Sequence, residues 1–135
     1  FGFGLSYTTF VYDQFRLSFD RMESPQALQV TVKVRNTGDR AGDEVVQLYL
    51  KDEAATESVP LHPLVGFERI HLAPGGERQV EFSVPPKAFA LINHEGYWMI
   101  EPGKFSLFVG GGQPGTPGGL TVGFDVLVSP IFLED

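Results

Sequence analysis

Leu28-Gln29-Val30-Thr31-Val32-Lys33-Val34-Arg35-Asn36-Thr37-Gly38-Asp39 decides how the rest of the chain is read. Apolar residues recur at every second position, Leu28, Val30, Val32 and Val34, with Gln29, Thr31, Lys33 and Arg35 between them. Successive side chains of a strand point to opposite faces, so this spacing describes a strand with one face on a core and the other in water. Asn36-Thr37-Gly38-Asp39 then ends the run with turn residues, Asn tolerating left-handed backbone and Gly adopting it freely.

The same period recurs on both sides. Phe15, Leu17 and Phe19 precede it, and Val46, Leu48 and Leu50, Val80, Phe82 and Val84, Phe105, Leu107 and Val109, and Leu120, Val122, Phe124 and Val126 follow. Between the runs lie Pro74-Gly75-Gly76, Asn93-His94-Glu95-Gly96 and Glu101-Pro102-Gly103. The 135 residues include 16 Gly and 10 Pro, well above their usual combined share of about 12%. They punctuate apolar runs instead of forming a low-complexity block, and no window accommodates a helix. Seven or so short strands at this spacing predict an all-β fold, a two-sheet antiparallel β-sandwich of immunoglobulin or fibronectin type III-like architecture.

Two stretches break the rhythm. Residues 52–63, with Pro60 and Pro63, read as a long crossing that switches sheets. Residues 110–119 hold Gly110, Gly111, Gly112, Gly115, Gly118 and Gly119 with Pro114 and Pro117, and read as a flexible loop between the last two strands. Gly110 to Gly115 satisfies GxGxxG by letter. A dinucleotide site, however, needs that third glycine in the first turn of a helix, and here prolines and another strand follow.

Ten Lys and Arg against 17 Asp and Glu leave a net charge of −7. No basic cluster is available to meet phosphates, which argues against nucleic acid and against an anionic membrane surface as partners. No apolar run approaches the ~20 residues that span a bilayer. Cysteine is absent, so disulfides, thiolate metal sites and cysteine nucleophiles are excluded together, while the compartment stays open. The opening Phe1-Gly2-Phe3-Gly4 has neither Met nor the basic and apolar regions of a signal peptide, and reads as an internal piece of a longer protein.

The scan for catalytic motifs finds no GxSxG elbow, HExxH, P-loop or EF-hand, and no cofactor is implied. His62, His71 and His94 read as surface histidines, and their spacing does not make a metal site. A glycosidase needs two carboxylates flanking one bond. Asp43-Glu44, Asp52-Glu53 and Glu134-Asp135 are sequence neighbours, and neighbours on a strand face opposite ways, so the first pair cannot flank a substrate. Tyr97 and Trp98, with Tyr49, are the candidates for stacking on a sugar, against the commoner arrangement of a lone Trp buried between the sheets.

Phe1-Gly2-Phe3-Gly4-Leu5-Ser6-Tyr7-Thr8-Thr9-Phe10 resembles the segment by which family 3 glycoside hydrolases, β-glucosidases and β-xylosidases, pass from their second domain into a C-terminal fibronectin type III-like domain. Further landmarks keep the family's order: Val34 to Tyr49, with Asn36-Thr37-Gly38-Asp39-Arg40-Ala41-Gly42-Asp43-Glu44 at its centre; Leu64-Val65-Gly66-Phe67-Glu68-Arg69 to Gly75; Tyr97 to Gly103; and Phe105 to Gly110. The similarity covers nearly the whole chain, although the 110–119 loop is richer in glycine than the family pattern.

The resemblance implies residues 1–12 as a segment leading in from a missing upstream domain and 13–135 as the fibronectin type III-like domain. It implies a division of labour in which the catalytic carboxylates lie upstream of Phe1, so this segment is not itself an enzyme although its parent is a retaining glycosidase. The domain's expected task is to pack against and steady the upstream catalytic domains. Phe1, Phe3, Leu5, Tyr7 and Phe10 are the candidate interdomain contacts, because so many large apolar groups need a covering surface. The alternative is a carbohydrate-binding module that recruits polysaccharide through Tyr97, Trp98 and Tyr49.

Overall fold

A computed structural model of the chain describes residues 8–19, 21–22, 26–53, 64–89, 91–92, 98–100, 103–112, 114–126 and 131–132. Seven long strands carry the fold: β1 (Phe10–Leu17), β3 (Leu28–Asn36), β4 (Gly42–Asp52), β5 (Leu64–Leu72), β6 (Glu77–Val84), β9 (Gly103–Gly110) and β10 (Leu120–Val126). Four short ones, β2 (Arg21–Met22), β7 (Leu91–Ile92), β8 (Trp98–Ile100) and β11 (Ile131–Phe132), and a 3₁₀ turn at Pro86–Phe89 complete the described elements.

The strands assemble as β1-β3-β6 in one sheet and β2-β10-β9-β4-β5 in the other, with β11-β8-β7 as a small third sheet. The two main sheets bury the alternating residues read from the sequence. Leu28, Val30, Val32, Val34, Val80 and Val84 from the first meet Val46, Leu48, Leu107, Val109, Phe124 and Val126 from the second, all almost fully buried. At ~1.5–3 kcal/mol for each fully buried aliphatic side chain, this double layer is the main favourable term. The β-sandwich expected from the sequence is the observed architecture.

The two sheets close differently at their two ends. Where β3 begins, Phe124 lies between Phe19, Phe89 and Phe105 at ring-centroid distances of 5.6, 5.1 and 6.4 Å. Where β3 ends, the chain crosses between sheets twice, from β3 to β4 and from β5 to β6, through two short turns. The expected sheet switch at 52–63 is corrected by the pairing: β4 and β5 are antiparallel neighbours in one sheet, Asp43 opposite His71 and Gln47 opposite Phe67. Residues 54–63, including His62, lie outside the described residues.

β1 starts at Phe10, inside the stretch read as a lead-in, and is antiparallel to β3. Its register shifts between Asp13 and Arg16, where Gln14 has φ 53°. A β-bulge of this kind places one residue in left-handed backbone, which is costly for any side chain with a Cβ. Gln14→Gly is therefore expected to raise stability by about 0.5–1 kcal/mol, seen as a higher midpoint in urea or thermal unfolding. A fall would mean that the glutamine side chain itself holds the bulge.

Candidate functional site

The two switching turns are locked together by one side chain. Asn36 is fully buried. Its Nδ2 donates to the carbonyls of Arg40 (2.7 Å) and Leu72 (3.0 Å), and its Oδ1 accepts from the Thr8 hydroxyl (2.6 Å) and the Gly38 amide (3.0 Å). Its backbone joins the second turn, N–H to Gly76 O and C=O from Gly75 N–H, both at 2.9 Å. Asn36 does not adopt positive φ. Its value is the amide, which satisfies four groups at once, and not the left-handed tolerance expected of it. Gly38 is needed for a related reason, since an added Cβ there would overlap the Thr8 hydroxyl. Thr9 adds a parallel clasp, its carbonyl accepting from Thr37 N–H at 2.9 Å.

Just beyond this turn, β4 carries the acidic pair, which diverges as strand geometry requires. Asp43 faces outward, accepting Arg69 Nε (3.0 Å) and Nη2 (2.8 Å) on one oxygen and His71 Nδ1 on the other. An ionised carboxylate can only accept, so Nδ1 carries the proton. His71 and Arg69 hold the Asp43 carboxyl below the usual range. Glu44 faces the sandwich and accepts the Tyr12 hydroxyl at 2.8 Å, a bond between the sheets. Burial pushes the Glu44 carboxyl up, against the Tyr12 hydrogen bond that lowers it. Burial, with the neighbouring Glu44 charge, pushes the Tyr12 phenol far above its ordinary range, so it stays neutral and donating.

These neighbours respond to acid with opposite signs. A carboxyl lowered in the fold, Asp43, contributes stability above its unfolded pKa that is lost as pH falls. A carboxyl raised in the fold, Glu44, penalises folding once ionised and stops doing so as pH falls toward its unfolded value. Glu44→Gln should therefore remove an acid-side gain: relative to the variant, the parent sequence is expected to gain stability between pH 7 and pH 4.5. Urea midpoints of the two proteins across that range check it, and parallel curves would overturn it.

Further along the outer face of the same sheet, Tyr49, Lys51, Glu53, Ser106, Phe108, Pro114 and Thr121 surround an open groove of about 200 Å³. Tyr49, one of the stacking candidates, stands half-buried in its wall. The polar groups around it are engaged with each other: Tyr49 donates to Gln47 Oε1, and Ser106 Oγ donates to Glu53 Oε2 at 2.7 Å. Phe108 points outward yet is 91% buried, its relative exposure being 9%. Gly110 and Gly119, at the two ends of the 110–119 loop, lie against its ring. Cβ atoms on Gly110 or Gly119 would crowd the ring, so glycine there serves close packing on an aromatic and not the looseness expected of the loop.

Of the candidate interdomain residues, Phe10 is half-buried and packs against the sandwich's own core. Phe1, Phe3, Leu5 and Tyr7 lie outside the described residues, as do Tyr97 and His94. Trp98 contributes backbone to β8, pairing with Ile92, and its side chain lies outside the description. Among the described residues no three His, Cys, Asp or Glu side chains converge on a metal position. The Asn36 pin, the Tyr12–Glu44 bond and the Asp43–Arg69–His71 cluster were not singled out by motif. The outward alternation of Asp43 and of Arg69 and His71 was the available signal for the last.

Comparison with known proteins agrees with this geometry. The sequence profile of the fibronectin type III-like domain matches residues 44–113. A β-glucosidase of Bacteroides ovatus is 38% identical over 110 residues, covering 81% of this chain and 15% of the relative. The periplasmic β-glucosidase of Salmonella typhimurium is 42% identical over 110 residues, 82% of this chain and 14% of the relative. A β-xylosidase of Formosa agariphila is 41% identical, 82% of this chain and 15% of the relative. The structure of β-glucosidase 3B from Thermotoga neapolitana in complex with α-D-glucose superposes with a TM-score of 0.80 at 32% identity, over 100% of this chain and 18% of that one. The chain thus spans roughly one-seventh of the curated relatives it matches. It belongs to the fibronectin type III-like domain family, in the form carried by family 3 glycoside hydrolases.

Proposed function

We propose that the chain is the non-catalytic accessory domain of a glycosidase acting on β-glucosides or β-xylosides, which packs against the catalytic domains of the same polypeptide and steadies them. One observation carries this reading. Similarity covers about four-fifths of the chain but 15% or less of each of two β-glucosidase relatives, leaving most of those enzymes outside the match. The site geometry supports it too. A retaining glycosidase needs two carboxylates about 5 Å apart across one bond. Asp43 and Glu44 are instead bonded on opposite faces, to Arg69 and His71 and to Tyr12. The two catalytic carboxylates are assigned to the upstream polypeptide, and Phe1, Phe3, Leu5 and Tyr7 to its contacts with this domain.

The test compares the purified 135-residue chain with its full-length parent on aryl β-glucoside and β-xyloside. Turnover is expected from the parent alone, and turnover by the short chain would overturn the assignment. Soluble xylan and glucan, followed through Trp98 emission, form the second arm. Saturable binding there would shift the function toward polysaccharide recruitment, with Tyr49, Tyr97 and Trp98 as the residues to replace.

A further inference from the structure

The outer face of β4 and β5 presents apolar surface that the described fold leaves in water. Phe67 is 67% exposed, Leu64 47% and Val45 37%. Phe67 stands opposite Gln47, Leu64 opposite Tyr49, and Val45 opposite Arg69, so the three share one face of two neighbouring strands. Among the described residues β5 is also the edge of its sheet, nine residues long and without proline. An edge of that kind invites pairing unless something covers it. Towards His71 the patch is bordered by Arg69 and His71 already fixed on Asp43.

The start of the described chain lies at one end of this face. Asn36 bonds the Thr8 hydroxyl through one amide atom and the carbonyl of Leu72, the last residue of β5, through the other. Thr8, the first described residue, is therefore held one side chain away from Leu72, at the end of β5 that carries His71. We propose that Phe67, Leu64 and Val45, with the Asp43–Arg69–His71 cluster as a polar border, form the surface that docks on the upstream polypeptide of the parent glycosidase. This rests on the accessory-domain reading above. The partner surface is apolar opposite Phe67 and polar opposite Arg69 and His71, the mixed character of contacts between domains of one chain.

Amide hydrogen exchange on the full-length parent and on the 135-residue chain tests the assignment. Amides of residues 64–72 are expected to exchange at least about tenfold more slowly in the parent. Phe67→Asp should abolish that difference in the parent and leave the short chain's exchange and unfolding midpoint unchanged. Val11→Asp, on β1 of the other sheet and 46% exposed, should change neither protein. Equal exchange of β5 in both proteins, parent protection that survives Phe67→Asp, or protection in the short chain that grows with its concentration, as a second copy would cause, each overturns the assignment. Deleting the domain from the parent separates the two readings. A deleted parent with unchanged stability and activity sinks the accessory role itself, whereas a crippled one alongside an indifferent Phe67→Asp sinks only this face.

Discussion

Asn36→Ala is expected to destabilise the domain by about 3–4 kcal/mol, because it orphans the buried carbonyl of Leu72 and removes a bond from three part-buried groups at the same time. The carbonyls of Leu72 and Arg40 lose their donor, and the Gly38 amide and Thr8 hydroxyl lose their acceptor. Each such group costs about 1–3 kcal/mol when desolvated without a partner, and not all four are equally buried. In a domain of this size the loss lowers the thermal midpoint by on the order of 10 °C. Asn36→Asp separates hydrogen bonding from shape. It keeps the volume but aims an anion at two carbonyl oxygens, so it should be at least as damaging at pH 7 and partly relieved in acid, where a protonated carboxyl can donate. A midpoint shift below about 1 kcal/mol for Asn36→Ala would mean that water replaces the amide, and that the turns hold by backbone pairing alone.

Phe124→Ala should cost a similar amount, about 3–5 kcal/mol, for a different physical reason. Its ring is 2% exposed and sits among Phe19, Phe89 and Phe105, so truncation removes apolar contact and leaves a void that three other rings cannot fill without leaving their rotamers. Phe124→Leu keeps most of the volume and should cost about 1–2 kcal/mol. Chemical denaturation of both variants checks the ratio. Equal losses would show that this end of the sandwich depends on ring geometry more than on filled volume.

Much of this architecture was legible because burial on one face imposes period two. β3, β6, β9 and β10 show that period in their residues and bury the predicted sides. β5 was harder to read. It alternates clearly only at Ile70 and Leu72, while Leu64 and Phe67 are exposed, so its pattern mixes the needs of the core with those of an outer surface. β2, β7, β8 and β11 are two or three residues long, too short for any period to register.

Within the candidate site, the opposite facing of Asp43 and Glu44 followed from strand geometry alone. The role of Asn36 did not, because Asn-Thr-Gly reads as a turn whether the amide faces water or bonds a turn 36 residues further along. The packing of Phe108 was equally hidden. An outward aromatic looks exposed until glycines with no Cβ in the way lie against its ring.

The pairing of β2 with β10 has a consequence for the order in which the domain is made. Met22 and Val126 are partners in a parallel ladder, and both are core residues. A ribosome adding about 5–20 residues per second delivers the second of them several seconds after the first. Throughout that interval Met22 has no strand to lie beside, and β9, once made, has one flank unpaired. The nascent domain therefore carries an unpaired strand flank and an uncovered core residue until its last long strand emerges.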